Sequence, residues 1–135
     1  MKKIALALVL VIILVIVSCS FMACSKYTSS YSALMCVKSQ HSSNGFINFD
    51  EFKGRYVFNF KYEGEGEGKI KYTASIGTGN VTVYYDSNDE KKELFKISDG
   101  QTLTATDGDI VKGHVYIIIE SEDKVSSGSF EFELV

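Results

Sequence analysis

Three cysteines and two histidines are the most reactive side chains of this 135-residue chain. Cys19 follows a long apolar run, while Cys24 and Cys36 belong to the serine-rich stretch behind it. Nucleophilic catalysis needs a base held beside the nucleophile. Cys36 and His41 lie five residues apart in a segment without fixed geometry, and His114 stands at the start of a strand-like segment. The sequence therefore predicts a protein that is not an enzyme and uses no cofactor, with no concave pocket that holds His114 beside a carboxylate.

Acidic turns are the second group of residues that could do chemistry, because carboxylates bind calcium. The segment 86–97 alternates oxygen ligands as a calcium loop does, but Lys91 stands where that loop needs glycine, which excludes an EF-hand. A shallower calcium site that uses Asp107 and Asp109, or Asp86 and Asp89, is the weaker alternative. Ordinary hairpin turns explain the same residues, so no metal is predicted.

Tyr84 and Tyr116 are the candidates for ligand recognition. Each falls on the face of its strand opposite the main apolar set, where its ring could stack on a sugar. The chain has eight tyrosines and no tryptophan, so ordinary packing is the competing explanation. A glycan is thus one partner class. The other is a secreted or surface protein that adds a strand to an unpaired, uncharged sheet edge.

The charge balance argues against a nucleic-acid partner. The net charge is −3, and removal of residues 1–18 would make it −5, since that segment contains Lys2 and Lys3 and no acidic residue. A mildly acidic chain without a basic cluster is poorly suited to bind phosphate backbones. The segment 63–68, EGEGEG, is no phosphate cradle because its glutamates would repel phosphate; we expect an acidic hairpin there.

The N-terminus has the layout of an export signal. Lys2 and Lys3 precede an unbroken apolar run of 14 residues, Ile4–Val17. A helix of that length covers roughly 21 Å, which is short of the roughly 30 Å hydrocarbon core of a membrane. An uncleaved anchor would therefore need residues 18–23 to complete the span. A hydrophobic signal helix over residues 1–18 that is removed on export is the preferred interpretation.

The tetrapeptide Ile16-Val17-Ser18-Cys19 resembles the lipobox of bacterial lipoprotein precursors. The resemblance implies that Cys19 receives a diacylglyceryl thioether, with palmitate-like acyl chains, and becomes the first residue after cleavage. The implied location is the extracytoplasmic face of the cell membrane. Two acyl chains contribute on the order of 20 kcal/mol of membrane affinity at about 0.8 kcal/mol per buried methylene.

Alternatives to this anchor remain open. Phe21-Met22-Ala23-Cys24 is a second lipobox candidate with Cys24 as the modified residue, and an uncleaved transmembrane helix is a third possibility. If Cys19 carries the lipid, Cys24 and Cys36 either form a disulfide or stay as two thiols in an extracytoplasmic setting. The intervening sequence does not decide between these states.

Downstream of residue 46 the hydrophobic pattern alternates with a period of two, as in half-buried strands. GRYVFNFKYE, GKIKYTASIG and GSFEFELV each place apolar residues on one face. HVYIIIESED has apolar residues on both faces, so this strand should be central, or covered on its second face by a loop or the N-terminal segment. These patterns predict an all-β fold, an antiparallel β-sandwich of seven or eight strands with jelly-roll or Greek-key connections.

The expected organisation is a signal peptide at 1–18, a serine-rich tether at 19–45 that allows one edge strand, and a sandwich at 46–135. Residues 55–135, with their VYIIIE and GSFEFEL strands, resemble small uncharacterised lipoproteins of Gram-positive bacteria. That resemblance implies a β-sandwich and no activity. The resulting hypothesis is a lipid-anchored, non-catalytic module used for binding or surface structure, with a cell-surface carbohydrate-binding module as the alternative.

Overall fold

The computed structural model describes residues 26–135, which form eight antiparallel strands and no helix. The strands are β1 (Ser30–Leu34), β2 (Val37–Gln40), β3 (Asn44–Tyr62), β4 (Gly68–Ser75), β5 (Asn80–Ser87), β6 (Lys91–Ser98), β7 (Thr102–Ile110) and β8 (Gly113–Leu134). In this part of the chain there is accordingly no candidate for a membrane-spanning helix. The predicted signal helix, Cys19 and Cys24 lie outside the described residues. The predicted all-β antiparallel fold is confirmed.

Two long strands, β3 and β8, pair along nearly their whole length and bend together where their register shifts, so each strand contributes to both layers of the domain. Their register shifts after Phe52, which pairs with Val125, so that Gly54 pairs with Ser121. On one side of this bend the strand order is β2–β3–β8–β4–β7, which we call the first layer; on the other it is β3–β8–β5–β6, the second layer. β1 pairs with β3 at the bend. With the two halves of β3 and of β8 counted separately, these halves and β4–β7 form two four-stranded layers in jelly-roll order, and β1 and β2 are added at the edge of β3.

The alternating aromatic residues of the sequence fill the space between the layers. The rings of Phe58 in the second layer and Phe132 in the first are 5.8 Å apart, and those of Phe95 and Tyr72 are stacked at 4.3 Å. Phe58, Phe60, Phe130 and Phe132 are fully buried. Because each strand places every second side chain in this core, the faces that point away from it are left for solvent or for another segment.

The strand that is apolar on both faces, the first half of β8, is central in the second layer, between β3 and β5. Ile117 and Ile119 point into the core. Tyr116 and Ile118 point to the outer face, yet they are only 9% and 0% exposed. The expectation that such a strand is central is confirmed, and its second face is covered as well.

The domain begins earlier than the boundary placed at residue 46. β1 and β2 lie within the segment assigned to a tether, and β3 already starts at Asn44. A left-handed backbone at Met35 (φ 51°) separates β1 from β2, so two short edge strands stand where the sequence allowed one. Tyr31 and Cys36 pack against the core, which explains why this serine-rich segment is held on the sandwich.

The glycines of EGEGEG make room for a ring. A Cβ on Gly64 or Gly68 would lie 2.3 Å or 2.5 Å from atoms of the Tyr62 side chain, whereas Gly66 has a positive φ of 83° and open space around it. The Tyr62 ring therefore lies against the backbone on both sides of the turn. These contacts account for the alternating glycines without any ligand.

Candidate ligand-binding face

A four-residue segment crosses the outer face of the second layer; we call residues 26–29 the strap. At one end, the backbone N–H of Val57 on β3 donates to Ser29 Oγ at 2.9 Å. At the other end, the hydroxyl of Tyr27 donates to Asp86 Oδ2 on β5 at 2.5 Å. Because β8 lies between β3 and β5, the strap passes over β8. This path covers the outer face of β8 at Tyr116, where the ring of Tyr27 packs.

Asp86 is the buried anchor of the strap, with 2% of its surface exposed. Lys26 Nζ lies 2.8 Å from Asp86 Oδ2 and 3.1 Å from Asp89 Oδ1. Burial alone would raise the pKa of Asp86, but the hydrogen bonds from Lys26 and Tyr27 outweigh it and hold the pKa below its usual value. Burial and the bond to Asp86 raise the pKa of Tyr27 to about 12. The Lys26 ammonium thus neutralises carboxylate charge at Asp86 and Asp89.

Tyr116, one of the two predicted stacking residues, lies beneath the strap. The rings of Tyr27 and Tyr116 meet edge to face at 5.3 Å, and the His114 ring lies 6.2 Å from the Tyr116 ring in a stacked orientation. With 9% of its surface exposed, Tyr116 offers little of its ring to a ligand while the strap is in place. Tyr116 could therefore stack on a ligand only if Tyr27 moved away or if the Tyr27 ring contacted the same ligand.

A cleft of about 270 Å³ at the end of the strap brings His114 together with carboxylates. We call it the strap cleft; its walls include Lys26, Asp86, Asp89, His114 and Tyr116. The expectation that no concave pocket holds His114 beside a carboxylate was wrong, because β5 and β8 are neighbours in the second layer. Asp86 is nevertheless engaged by Lys26 and Tyr27, and His114 Nδ1 lies 3.1 Å from Asn59 Oδ1, within hydrogen-bond distance.

Tyr84, the other predicted stacking residue, lines a second cleft on the same face. This acidic groove, of about 300 Å³, is lined by Gly79, Asn80, Thr82, Tyr84, Glu120, Glu122 and Asp123. Tyr84 is half-buried. One aromatic ring beside amide, hydroxyl and carboxylate groups is a lining that suits a polar, hydroxyl-rich ligand, because the ring packs on apolar faces while the oxygens accept hydrogen bonds.

Glu120 and Lys91 set the charge of this groove. Glu120 Oε1 accepts a hydrogen bond from Arg55 Nε at 2.8 Å and lies 2.7 Å from Arg55 Nη2. Lys91 Nζ is 3.6 Å from the same carboxylate oxygen and 4.4 Å from the centre of the Tyr84 ring. A ligand that stacks on this side of Tyr84 must displace the Lys91 ammonium from the ring, which a flexible, partly exposed lysine permits.

The remaining predicted site residues are apart from this face or outside the described part. Asp109 forms an ion pair with Lys69, which lowers the pKa of Asp109, and Asp107 Oδ1 accepts a bond from the N–H of Gly108 at 2.8 Å. Among residues 26–135, no three His, Cys, Asp or Glu side chains come together as metal ligands would. Cys36 is half-buried, and Cys24, with which the sequence allows either a disulfide or two separate thiols, lies outside the described residues.

Sequence reasoning missed the strap residues and their anchor. Lys26 and Tyr27 stand in a stretch whose composition is that of a polar tether, and the sequence indicates Asp86 only as a calcium ligand. The signal for a covering segment was the two-sided β8, but nothing local to residues 26–29 shows which segment does the covering. Arg55 and Glu120 alternate correctly onto the outer face, so their pairing follows once β3 and β8 are known to be neighbours.

Comparison with known proteins adds little to this geometry. No protein-family model and no curated protein matches the chain. Solved carbohydrate-binding modules are distantly similar: a mutant family 29 module (18% identity, TM-score 0.42, 78% of each chain) and a CBM4 structure (12%, 0.41, 79% of this chain and 78% of that chain). A family 29 mutant in complex with mannohexaose reaches 16% identity and a TM-score of 0.41. Similarity at this level does not identify a ligand, so we infer the ligand class from this chain's own residues.

Proposed function

We propose that this protein is a bacterial lipoprotein, held at the extracytoplasmic face of the membrane by a diacylglyceryl group on Cys19, and that its sandwich is a binding module. The lipobox-like tetrapeptide that ends at Cys19 supports the anchor. The acidic groove beside Tyr84 is the observation that carries the binding part. Catalysis is disfavoured because Asp86, the buried carboxylate of the strap cleft, is already neutralised by Lys26.

The position of the strap favours the lipid over an uncleaved helix. Lys26 is bound to the domain through Asp86. A helix that needs Ala23 to complete its span would leave Cys24 and Ser25 as the linker, at most about 7 Å of extended chain. A lipid on Cys19 leaves six residues, or about 20 Å. The longer linker gives the end of the domain near Lys26 room to clear the lipid headgroups.

The anchor is tested by the intact mass of the membrane-extracted protein. We expect a chain that begins at Cys19 and carries a diacylglyceryl group. Cys19→Ser should leave an unprocessed precursor that begins at Met1, whereas the matched variant Cys24→Ser should be processed as the wild type is. A wild-type chain that still begins at Met1 would instead support the uncleaved helix, and lipid on Cys24 would move the anchor.

A glycan is the ligand class that we propose for the acidic groove. Tyr84 supplies one ring, and carboxylates at Glu122 and Asp123 can accept hydrogen bonds from sugar hydroxyls. Thr82, Tyr84 and Glu120 of the groove lie on the paired strands β5 and β8, so these side chains are preorganised for an extended chain of sugars. A binding role of this kind needs no catalytic base, in keeping with the neutralised Asp86.

Binding of glucans, mannans and purified cell-wall glycans, followed by affinity electrophoresis, tests this assignment. Tyr84→Ala should weaken binding about tenfold or more, since one ring contact of about 1.4 kcal/mol corresponds to tenfold. Tyr84→Phe keeps the ring and should bind within about twofold of the wild type. If none of these glycans is retarded, or if both variants bind as the wild type does, the groove does not recognise glycans in this way.

A further inference from the structure

β7 is the edge strand of the first layer, and among residues 26–135 it pairs only with β4. Its first part, from Thr102 to Thr106, is regular, without a register shift against β4. It contains no charge and no proline, and four of its five side chains are exposed. Edge strands of this kind offer free N–H and C=O groups to another strand, and proteins usually protect them.

The other edges of the sheet are protected in the usual ways. β6 carries three lysines, Lys91, Lys92 and Lys96. β1 has five residues and β2 has four, one of them Lys38. Charge and short length both discourage pairing with another chain. The contrast singles out β7 as the edge of the described domain that is built to accept a strand.

The sequence of β7 and its flanks is nearly symmetric. From Gly100 to Gly108 the sequence is GQTLTATDG. A two-fold axis through Thr104 would therefore place residues of similar type opposite each other on the two chains. In an antiparallel pair of two such strands, Thr102 faces Thr106, Leu103 faces Ala105, and Gln101 faces Asp107. Opposed threonines and an amide beside a carboxylate are favourable cross-strand pairs, and no two like charges meet within this span.

We propose that β7 pairs with β7 of a second copy of this chain, in antiparallel register centred on Thr104, and so joins the first layers of two molecules into one sheet. Such an interface is isologous and closes as a dimer. The side chains continue correctly across the junction: Leu103 lies on the core side of each layer, and Thr102, Thr104 and Thr106 lie on the outer face. The contact is small, so association in dilute solution is weak and rises when the molecules share one membrane.

A disulfide placed on the axis tests the register directly. In full-length protein in detergent, with Cys24→Ser and Cys36→Ser to remove other thiols, Thr104→Cys should form an interchain disulfide at least tenfold faster than Thr73→Cys. Thr73 is the matched control because it lies beside Thr104 on the outer face of β4, one strand away from the edge. The parent without an added cysteine reports any linkage through Cys19. Equal rates for the two variants would overturn the proposal.

A lysine at the same position tests the interface without any covalent bond. Thr104→Lys places two ammonium groups on the axis and should shift the wild-type dimer to monomer in sedimentation velocity, while Thr73→Lys should leave the dimer fraction unchanged. Both sites are exposed, so circular dichroism should show an intact fold. Wild type that sediments as a monomer at every concentration, or a dimer that survives Thr104→Lys, would overturn the proposal, including the case in which the chain's own N-terminal residues occupy the edge.

Discussion

The outer faces of the two layers differ although the same strand, β8, runs through both. In the first layer its outward residues are Ser129, Glu131 and Glu133, all exposed to solvent. In the second layer its outward residues Tyr116 and Ile118 are buried. The strap accounts for the difference at Tyr116, because the ring of Tyr27 packs on this residue.

This contrast shows which contacts offset the entropy cost of ordering a short segment. Fixing four residues costs backbone entropy of roughly 1–2 kcal/mol each. The strap offsets that cost by covering apolar area at Tyr116, by the hydrogen bonds of Tyr27 and Ser29, and by the ion pair between Lys26 and Asp86. The open face has no apolar residue on β8 to cover, so a strap would gain nothing there.

The largest expected effect comes from removing the apolar residue beneath the covered face. Ile118→Ala should lower the free energy of unfolding by about 2–4 kcal/mol, because it empties a fully buried site. Thr73→Ala, at an equally central position on the open face of the first layer, should change it by less than about 0.5 kcal/mol. Urea unfolding of both variants checks the comparison. Similar small effects would mean that the second layer's outer face is not part of the packed interior.

Much of this fold was predictable from the sequence because β strands with one buried face have a period of two. The alternating aromatics of β3 and the FEFEL segment of β8 identified core residues, including Phe58, Phe60 and Phe132, which are fully buried. The two-sided segment of β8 predicted its central position. Each of these inferences depends on residues within one strand, where the pattern is local.

The candidate site was less predictable because it depends on residues far apart in the chain. Tyr27 and Asp86 are separated by 59 positions, and nothing in the local sequence of either indicates the other. Tyr116 was correctly placed on the face opposite the core, but its accessibility is decided by Tyr27. The docking of the serine-rich segment on the domain was not predictable for the same reason, because serine-rich composition does not indicate whether a segment packs against a fold.

A smaller effect is expected from loosening the strap at its aromatic end. Tyr27→Phe removes one hydrogen bond to a carboxylate and should cost about 1–2 kcal/mol of stability, while the ring contact with Tyr116 is kept. The amide of Val57 reports strap opening, because its partner is Ser29 Oγ. Hydrogen exchange at Val57 should accelerate in the variant while exchange at the central-strand amide of Ile118 stays slow. Unchanged exchange at Val57 would show that Tyr27 does not hold the strap.

The smallest expected effect is the pH dependence of strap docking. The folded-state pKa of Asp86 is below its ordinary value, so its contribution is fully present above the unfolded value of about 4 and is lost as pH falls through the folded pKa. Tyr27 and Lys26 have raised pKa values, so their contributions are present below about 10 and are lost only as pH rises to about 12 or beyond. The protection factor of Val57 should therefore be constant between about pH 5 and 9 and fall below about pH 4, and Asp86→Asn should remove that acid step. An acid step that persists in Asp86→Asn would assign it to another carboxylate.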